Sequence, residues 1–148
     1  MADIQKFPPL IEFKEHEQQL QFRSPLIDSR LIDIIYYLAG FSYFNYGKSI
    51  TITELLRSQA EQDEIYKDDP IYKQNPWQSV HQYGRGADIS ILYYTDDEKR
   101  EILKYLNGHF SYREGGTKET AIIHEVGNHG MHLHVQVSPE SYTQLLKV

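Results

Sequence analysis

The segment 131–137 constrains the fold most strongly, because its residues alternate strictly in character. Its polar residues are His132, His134 and Gln136, and its apolar residues are Leu133, Val135 and Val137. A period of two is typical of a β-strand, whose successive side chains point to opposite faces of a sheet. The segment therefore predicts a sheet with one packed face and one face that is free for chemistry.

Three further segments predict strands of the same sheet. Residues 50–53 alternate and are rich in β-branched side chains, residues 87–93 alternate as well, and residues 120–126 precede a short connection to the segment 131–137. That connection is short enough for a hairpin. We therefore expect an α+β fold, in which a small antiparallel sheet of about four strands is flanked by helices.

Helical periodicity is clearest after residue 28, and either Asp28 or Ser29 is a candidate N-cap. The apolar face of this helix consists of Leu31, Ile34, Ile35, Leu38 and Ala39. This spacing predicts a core helix, because residues three and four apart lie on one side of a helix.

Three other helices are predicted from their caps. A short helix follows Ser58 and stops before Pro70, and residues 70–80 form a loop. Thr95 with Glu98 forms a capping box for a helix that ends at Gly108. Residues 138–148 predict a terminal helix, with serine as N-cap and proline at its first position.

The length of 148 residues is close to the usual size of one domain. We expect a single domain over residues 1–148. Within it, residues 1–49 form an N-terminal arm and a core helix, residues 50–137 carry the motifs, and residues 138–148 form the terminal helix. The arm, up to about residue 27, is either extended or made of short strands that pack on the domain.

Composition excludes several classes of protein. The net charge of −6 disfavours nucleic-acid binding, which usually draws on clustered Lys and Arg. No apolar run approaches the roughly 18 residues of a membrane span, and the N-terminus lacks the features of a secretory signal. We therefore expect a protein that is made in the cytoplasm, and we also expect a monomer.

Histidines are concentrated in the part of the chain that carries the strongest motif. Five of the seven lie in or beside two segments, 79–88 and 132–134. The first has His81 and Asp88 on either side of a bend that contains Gly84 and Gly86, and the second adds His134 and His132. A catalytic zinc takes three protein ligands, and with no cysteine in the chain they must be nitrogen and oxygen. The two segments together predict an open metal site.

Three other residues, Arg57, His124 and Glu125, are not assigned a single role by the sequence. Arg57 is either a solvated residue at a helix start or a clamp for a substrate carboxylate or carbonyl. His124 and Glu125 fall on opposite faces of their strand by alternation, and either can be a surface residue.

The pattern Ser79-x-His81-x-x-Gly84-x-Gly86-x-Asp88 resembles the first motif of the D-Ala-D-Ala metallopeptidases, and His132-x-His134 resembles the second motif of the wider group. That group joins lysostaphin-type enzymes, D-Ala-D-Ala metallopeptidases and the hedgehog signalling domain on a small α+β fold. The segment from Glu54 to Ser58, with Gln62, is similar to the part that carries a substrate-binding arginine in the family's carboxypeptidases. The resemblance covers about residues 50–137.

The resemblance implies a zinc ion held by His81, Asp88 and His134, with Arg57 near the substrate. The sequence departs from the family at Met131, where the carboxypeptidases and dipeptidases have a catalytic Glu or Asp. His132 is then the first candidate for the proton acceptor. His129 is the second, since His129-x-x-His132-x-His134 is similar to the pattern of murein endopeptidases.

The resemblance therefore implies a zinc metallopeptidase that hydrolyses a peptide bond in bacterial peptidoglycan, as a carboxypeptidase or an endopeptidase. The absence of an export signal fits a phage endolysin, released to the cell wall by a holin, or a virion-associated lysin. The alternative is a zinc-containing protein-binding module of the hedgehog type, which the missing acid at Met131 favours. Manganese or cobalt can also occupy a site of this kind in vitro.

Overall fold

The computed structural model describes residues 9–125 and 130–139, and within them helices accompany one mixed sheet. The strands are β1 (Ile11–Phe13), β2 (Ile50–Glu54), β3 (Gly86–Ile89), β4 (Ala121–Glu125) and β5 (Met131–Gln136). The α-helices are α1 (His16–Phe22), α2 (Ser29–Tyr46), α3 (Gln59–Ile65), α4 (Pro70–Gln74) and α5 (Asp96–His109), and Val80–Tyr83 is a 3₁₀ helix.

The predicted α+β class is confirmed, but the sheet has five strands and is not wholly antiparallel. The strand order is β1-β2-β3-β5-β4, with β1 parallel to β2 and the other neighbours antiparallel. The extra strand is β1, in which Ile11 pairs with Ile50. Three residues are too few to show a clear period, so the pairing with β2 decides this strand.

The core lies on the apolar face of the sheet, beneath α2 and α5. The predicted apolar face of α2 is confirmed, since Leu31, Ile34, Ile35, Leu38 and Ala39 are all fully buried. α2 contacts β2, β5 and α5, and α5 also contacts β4. The opposite face of the sheet is therefore left for the polar residues.

Two short helices lie where the sequence predicted none. α1 lies within the predicted arm, and Gln18 forms a capping box with Glu15 at its start. α4 lies in the predicted loop 70–80, because the Asp69 carboxylate accepts bonds from two backbone amides and Pro70 occupies the first turn. In both cases local capping forms a helix too short to show a periodic pattern.

The predicted caps at Asp28, Ser58 and Thr95 are confirmed, because each side chain accepts a backbone N–H bond. Two predicted ends differ. α5 continues through Gly108 to His109, and β3 ends at Ile89 instead of near residue 93. Neither end carries a signal as strong as a capping box, and ends of elements are where local patterns are weakest.

The predicted terminal helix lies outside the described residues from Glu140 onward, as do residues 126–129 of the hairpin connection. Among the helices that are described, none is both long and apolar enough to span a membrane.

Candidate metal centre

The structure brings His81, Asp88 and His134 together at the centre of the polar face of the sheet. His81 belongs to the 3₁₀ helix, Asp88 to β3 and His134 to β5, where His134 lies directly opposite Asp88. One nitrogen or oxygen of each side chain lies within 4.8 Å of the others, and all three residues are buried. This buried His-Asp-His group could hold a metal ion.

The glycine bend predicted between His81 and Asp88 has a steric basis at Gly84. This residue ends the 3₁₀ helix with φ +68, and an added Cβ would lie 2.0 Å from the backbone oxygen of Leu26. Only glycine fits this close approach in the left-handed conformation. At the other end the Ser79 hydroxyl accepts a bond from the His81 backbone amide. Both ends of the turn that carries His81 are therefore fixed.

Distances between the three side chains fit a small divalent ion. The Asp88 Oδ2 lies 3.3 Å from His81 Nε2, and its Oδ1 lies 2.9 Å from His134 Nδ1. Ligand atoms about 2.0–2.2 Å from a tetrahedral zinc ion are separated by roughly 3.3–3.5 Å. Both carboxylate–imidazole separations are therefore close to those around such an ion, and the three ligand atoms all lie within 4.8 Å of one another.

The outer nitrogens of both imidazoles face hydrogen-bond acceptors. His81 Nδ1 lies 3.0 Å from the Leu55 carbonyl oxygen, and His134 Nε2 lies 3.1 Å from the Gln136 Oε1. An acceptor requires a proton on the facing nitrogen, so a neutral imidazole leaves the inner nitrogen as a lone pair. Two inner lone pairs and one carboxylate form a donor set for a metal.

The charges of the cluster are coupled through Asp88. Burial opposes the charge of Asp88, but its bonds with His134 and His81 hold the pKa of this carboxyl well below its usual range. Burial likewise opposes a charge on His81, yet the bond to Asp88 and its charge outweigh it and raise the pKa of His81. Asp88 is therefore ionised at neutral pH, as a metal ligand must be.

Glu54 is a second carboxylate beside the cluster, which the sequence interpretation did not assign. A register shift in β2 places Glu54 opposite Asp88, although Ile52, two residues earlier, lies in the core. A β-bulge redirects side chains in this way. The Glu54 Oε2 lies 4.0 Å from His81 Nε2. The carboxylate therefore faces the space that the three candidate ligands surround.

Arg57, predicted to orient a substrate, lies behind Glu54. Its Nε and Nη2 donate to the two Glu54 oxygens at 2.6 and 2.7 Å, and its Nη1 donates to Gln62 Oε1 at 2.6 Å. The side chain is only 2% exposed. The contacts of Arg57 hold Glu54 toward the cluster. Direct binding of a substrate by Arg57 stays a prediction.

His132 is half-buried and borders the same groove as Glu54 and Asp88. Its Nδ1 lies 3.0 Å from the Gly130 carbonyl oxygen and must carry a proton to bond it, which leaves Nε2 as the acceptor of a neutral ring. Met131, at the position where the metallopeptidases with a similar motif have an acid, is 53% exposed. His129, the other predicted proton acceptor, lies outside the described residues.

His124 lies on the site face, because it pairs across the strands with His132. Its ring centroid is 4.8 Å from that of His134, and its buried Nε2 has no hydrogen-bond partner among the described residues. Burial lowers the pKa of His124, so the ring is neutral near neutral pH. The pairing with His132 would have placed His124 at the site. The alternation within one strand does not give the register between two strands, so the sequence did not reveal it.

A groove of about 1190 Å³ reaches the cluster and is bordered by α1, α3 and the end of β2. Asp88, Glu54 and His132 lie at its border. Its volume exceeds that of most small-molecule pockets, so it has room for a segment of extended peptide.

A motif resemblance and the geometry of one cluster thus characterise this centre. No protein-family model and no curated protein sequence matches the chain.

Proposed function

We propose that this protein is a zinc-dependent peptidase that hydrolyses a peptide bond in bacterial peptidoglycan. One observation carries the proposal: the two buried imidazoles turn their inner nitrogens toward Asp88, because their outer nitrogens face acceptors. Three protein ligands beside an open groove are typical of catalytic zinc sites, whereas structural zinc sites are closed by four.

Zinc is the proposed metal because the ligands are two imidazoles and one carboxylate, a set that zinc accepts readily. A bound zinc ion supplies Lewis acidity, which activates water and polarises a carbonyl group. His81, Asp88 and His134 hold it. Their burial and their hydrogen bonds restrict the side chains, which favours metal binding.

His132 is the proposed proton acceptor, acting through Nε2. The bond from Nδ1 to the Gly130 oxygen orients the ring, and a neutral ring then has its lone pair on Nε2. Glu54 is the rival, but both of its oxygens already accept charge-assisted bonds from Arg57, which hold the carboxylate in that ion pair. The proposed role of Glu54 is to orient water or the substrate amide.

Peptidoglycan is proposed as the substrate from the motif resemblance, and the charge of the groove is compatible with it. The charged residues at the border of the groove are Glu17, Glu54, Glu61, Glu64, Asp68, Asp69 and Asp88 against Lys14 and Lys67. Seven acids against two lysines favour a substrate that brings an amine. Stem peptides with a free side-chain amine meet this requirement.

The proposal is tested by digesting purified peptidoglycan with the protein, with and without a chelator, and searching by mass spectrometry for new amine termini. We expect chelator-sensitive release of peptides, restored by added zinc. The His134→Ala variant is the matched negative control. Zinc bound at one equivalent with no new termini would overturn the peptidase and favour the binding module.

A second comparison separates the two candidate proton acceptors. We expect His132→Gln to lose turnover while it retains zinc, and Glu54→Gln to lose less turnover. If Glu54→Gln is the more damaging change and binds zinc normally, the proton acceptor is Glu54 and the role given to His132 is wrong.

A further inference from the structure

Gln136 is buried beside His134 on the site face of β5, and no motif that predicted the metal centre includes it. The residue is 5% exposed, and its backbone amide donates to the Thr120 oxygen at 2.9 Å. Its side chain makes two hydrogen bonds, one on each side of the amide group. A buried amide with both ends bonded has one orientation, and that orientation has consequences for His134.

The orientation of the Gln136 amide is determined by a backbone group. The Nε2 of Gln136 donates to the carbonyl oxygen of Glu119 at 2.9 Å. A carbonyl oxygen only accepts, so the amide nitrogen must face Glu119 and the amide oxygen must face away from it. The Oε1 therefore points to His134 Nε2, 3.1 Å away.

The amide oxygen in turn selects the tautomer of His134. Because Oε1 can only accept, the proton of a neutral imidazole stays on Nε2, and Nδ1 keeps its lone pair. Nδ1 is the nitrogen that faces Asp88 at 2.9 Å. We propose that Gln136 is a positioning residue, which fixes His134 in the tautomer and ring orientation that present Nδ1 to a metal ion.

Gly86 supports the same arrangement from the neighbouring strand. It pairs with Gln136 across β3 and β5, and an added Cβ there would lie 3.2 Å from His134 Cε1, the atom between the two ring nitrogens. The ring of His134 therefore packs directly over the glycine backbone. The hydrogen bond sets the tautomer, and the contact at Gly86 limits the tilt of the ring.

The inference rests on the metal binding that the proposed function assumes, and it concerns affinity alone. Outer partners of ligating histidines typically change metal affinity by 10–100-fold when removed. In Gln136→Met the side chain keeps its length and loses the acceptor. In Gln136→Glu the acceptor remains, but the carboxylate meets the Glu119 oxygen without a proton to donate.

The test measures the zinc affinity of the full chain by competition with a chromophoric chelator, and stability by urea unfolding of the metal-free protein. We expect Gln136→Met to bind zinc roughly 10–100-fold more weakly and Gln136→Glu to bind at least as tightly as the wild type. Both should be less stable without metal. A purely structural role would instead lower the zinc affinity of both variants in step with their stability, and that result overturns the proposal.

Ser42→Ala is the control, because Ser42 is also fully buried but lies in α2 on the core side, where its hydroxyl bonds the Lys48 carbonyl oxygen and the Tyr94 hydroxyl. It should lose stability and keep its zinc affinity. An equal loss of affinity in the Ser42 variant and in Gln136→Met would contradict the proposal.

A measurement on the wild type covers the case in which the Gln136 variants do not fold. Nitrogen-15 NMR of the zinc-loaded protein should find the His134 proton on Nε2 and the metal on Nδ1, and the reverse overturns the inference. Zinc binding without peptidoglycan cleavage would overturn the proposed function and leave this inference standing. A wild type that binds no zinc would overturn both.

Discussion

The two faces of the sheet carry adjacent rows of residues with opposite physical character. One row across β2, β3, β5 and β4 consists of Ile52, Ile89, Leu133 and Ile123, and it faces the core. The next row consists of Glu54, Asp88, His134 and Ile122, and it lies on the opposite face, where Glu54 and Asp88 border the groove. A displacement of one residue along β3, β4 and β5, and of two along the bulged β2, separates an apolar layer from a candidate metal centre.

The comparison shows that burial serves different ends on the two faces. On the core face, burial of apolar area stabilises the fold at about 25 cal/mol per Å². On the other face, Asp88 and His134 are almost as buried, but burial of polar groups costs free energy unless they are bonded. Substitutions on the core face should therefore act mainly on stability, and those on the site face mainly on metal binding.

The largest expected effect is on the site face. His134→Ala removes one of three candidate ligands and should abolish stoichiometric zinc binding, whereas His132→Ala should retain the metal and lose turnover. Zinc per protein, measured by atomic emission after dialysis, distinguishes the two. Equal loss of metal in both variants would show that the roles of the two histidines are assigned wrongly.

On the core face, the neighbouring residue Leu133 should behave in the opposite manner. Leu133→Ala creates a cavity in the core and should lower the free energy of unfolding by about 2–5 kcal/mol. The folded fraction should keep its zinc affinity. Urea unfolding and zinc titration check the two halves, and a Leu133 variant that folds stably but binds zinc poorly would break the separation between the faces.

A smaller effect is expected at Gly86, where one substitution should change both stability and metal binding. Its added Cβ in Gly86→Ala would lie 2.5 Å from Val80 Cγ2 as well as close to His134. Overpacking of this kind costs about 1–3 kcal/mol, and the shift of the His134 ring should also weaken zinc binding. Adding Val80→Ala should recover stability more than affinity. Full recovery of both would show that the contact with His134 has no effect on the metal.

The smallest expected effect is the pH dependence of the metal-free protein, because burial and the Asp88 bond act in opposite directions on His81. The pKa of His81 is raised on folding, so its contribution is complete below the unfolded value of about 6.5 and is lost as pH rises through the folded pKa. Zinc should reverse the trend, since protons compete with the metal.

Urea unfolding between pH 5.5 and 8.5, with chelator or with zinc, measures both slopes. His81→Gln should remove the decline seen with chelator. A metal-free protein whose stability rises throughout this range would contradict the coupling between His81 and Asp88.

Local patterns predicted the parts of the site that short-range geometry controls. The alternation of 131–137 identified the face of His134, and the glycine bend predicted that His81 and Asp88 converge. Patterns could not find Glu54, since a bulge in β2 reverses the face that alternation assigns to it. Patterns could not identify His124 either, because its place beside His134 depends on how two strands pair.

The sequence by itself determined the α+β class, the caps of three helices and the apolar face of α2, because these features depend on periods and caps that span fewer than about 20 residues. It also identified the three clustered residues, through the facing of one strand and through the motif resemblance over about residues 50–137. Only the tertiary structure decided the fifth strand, the engagement of Arg57 by Glu54, and the bond between Gln136 and His134 that orients an imidazole. Each of those depends on the register of strands or on the direction of a side chain, and local propensity determines neither.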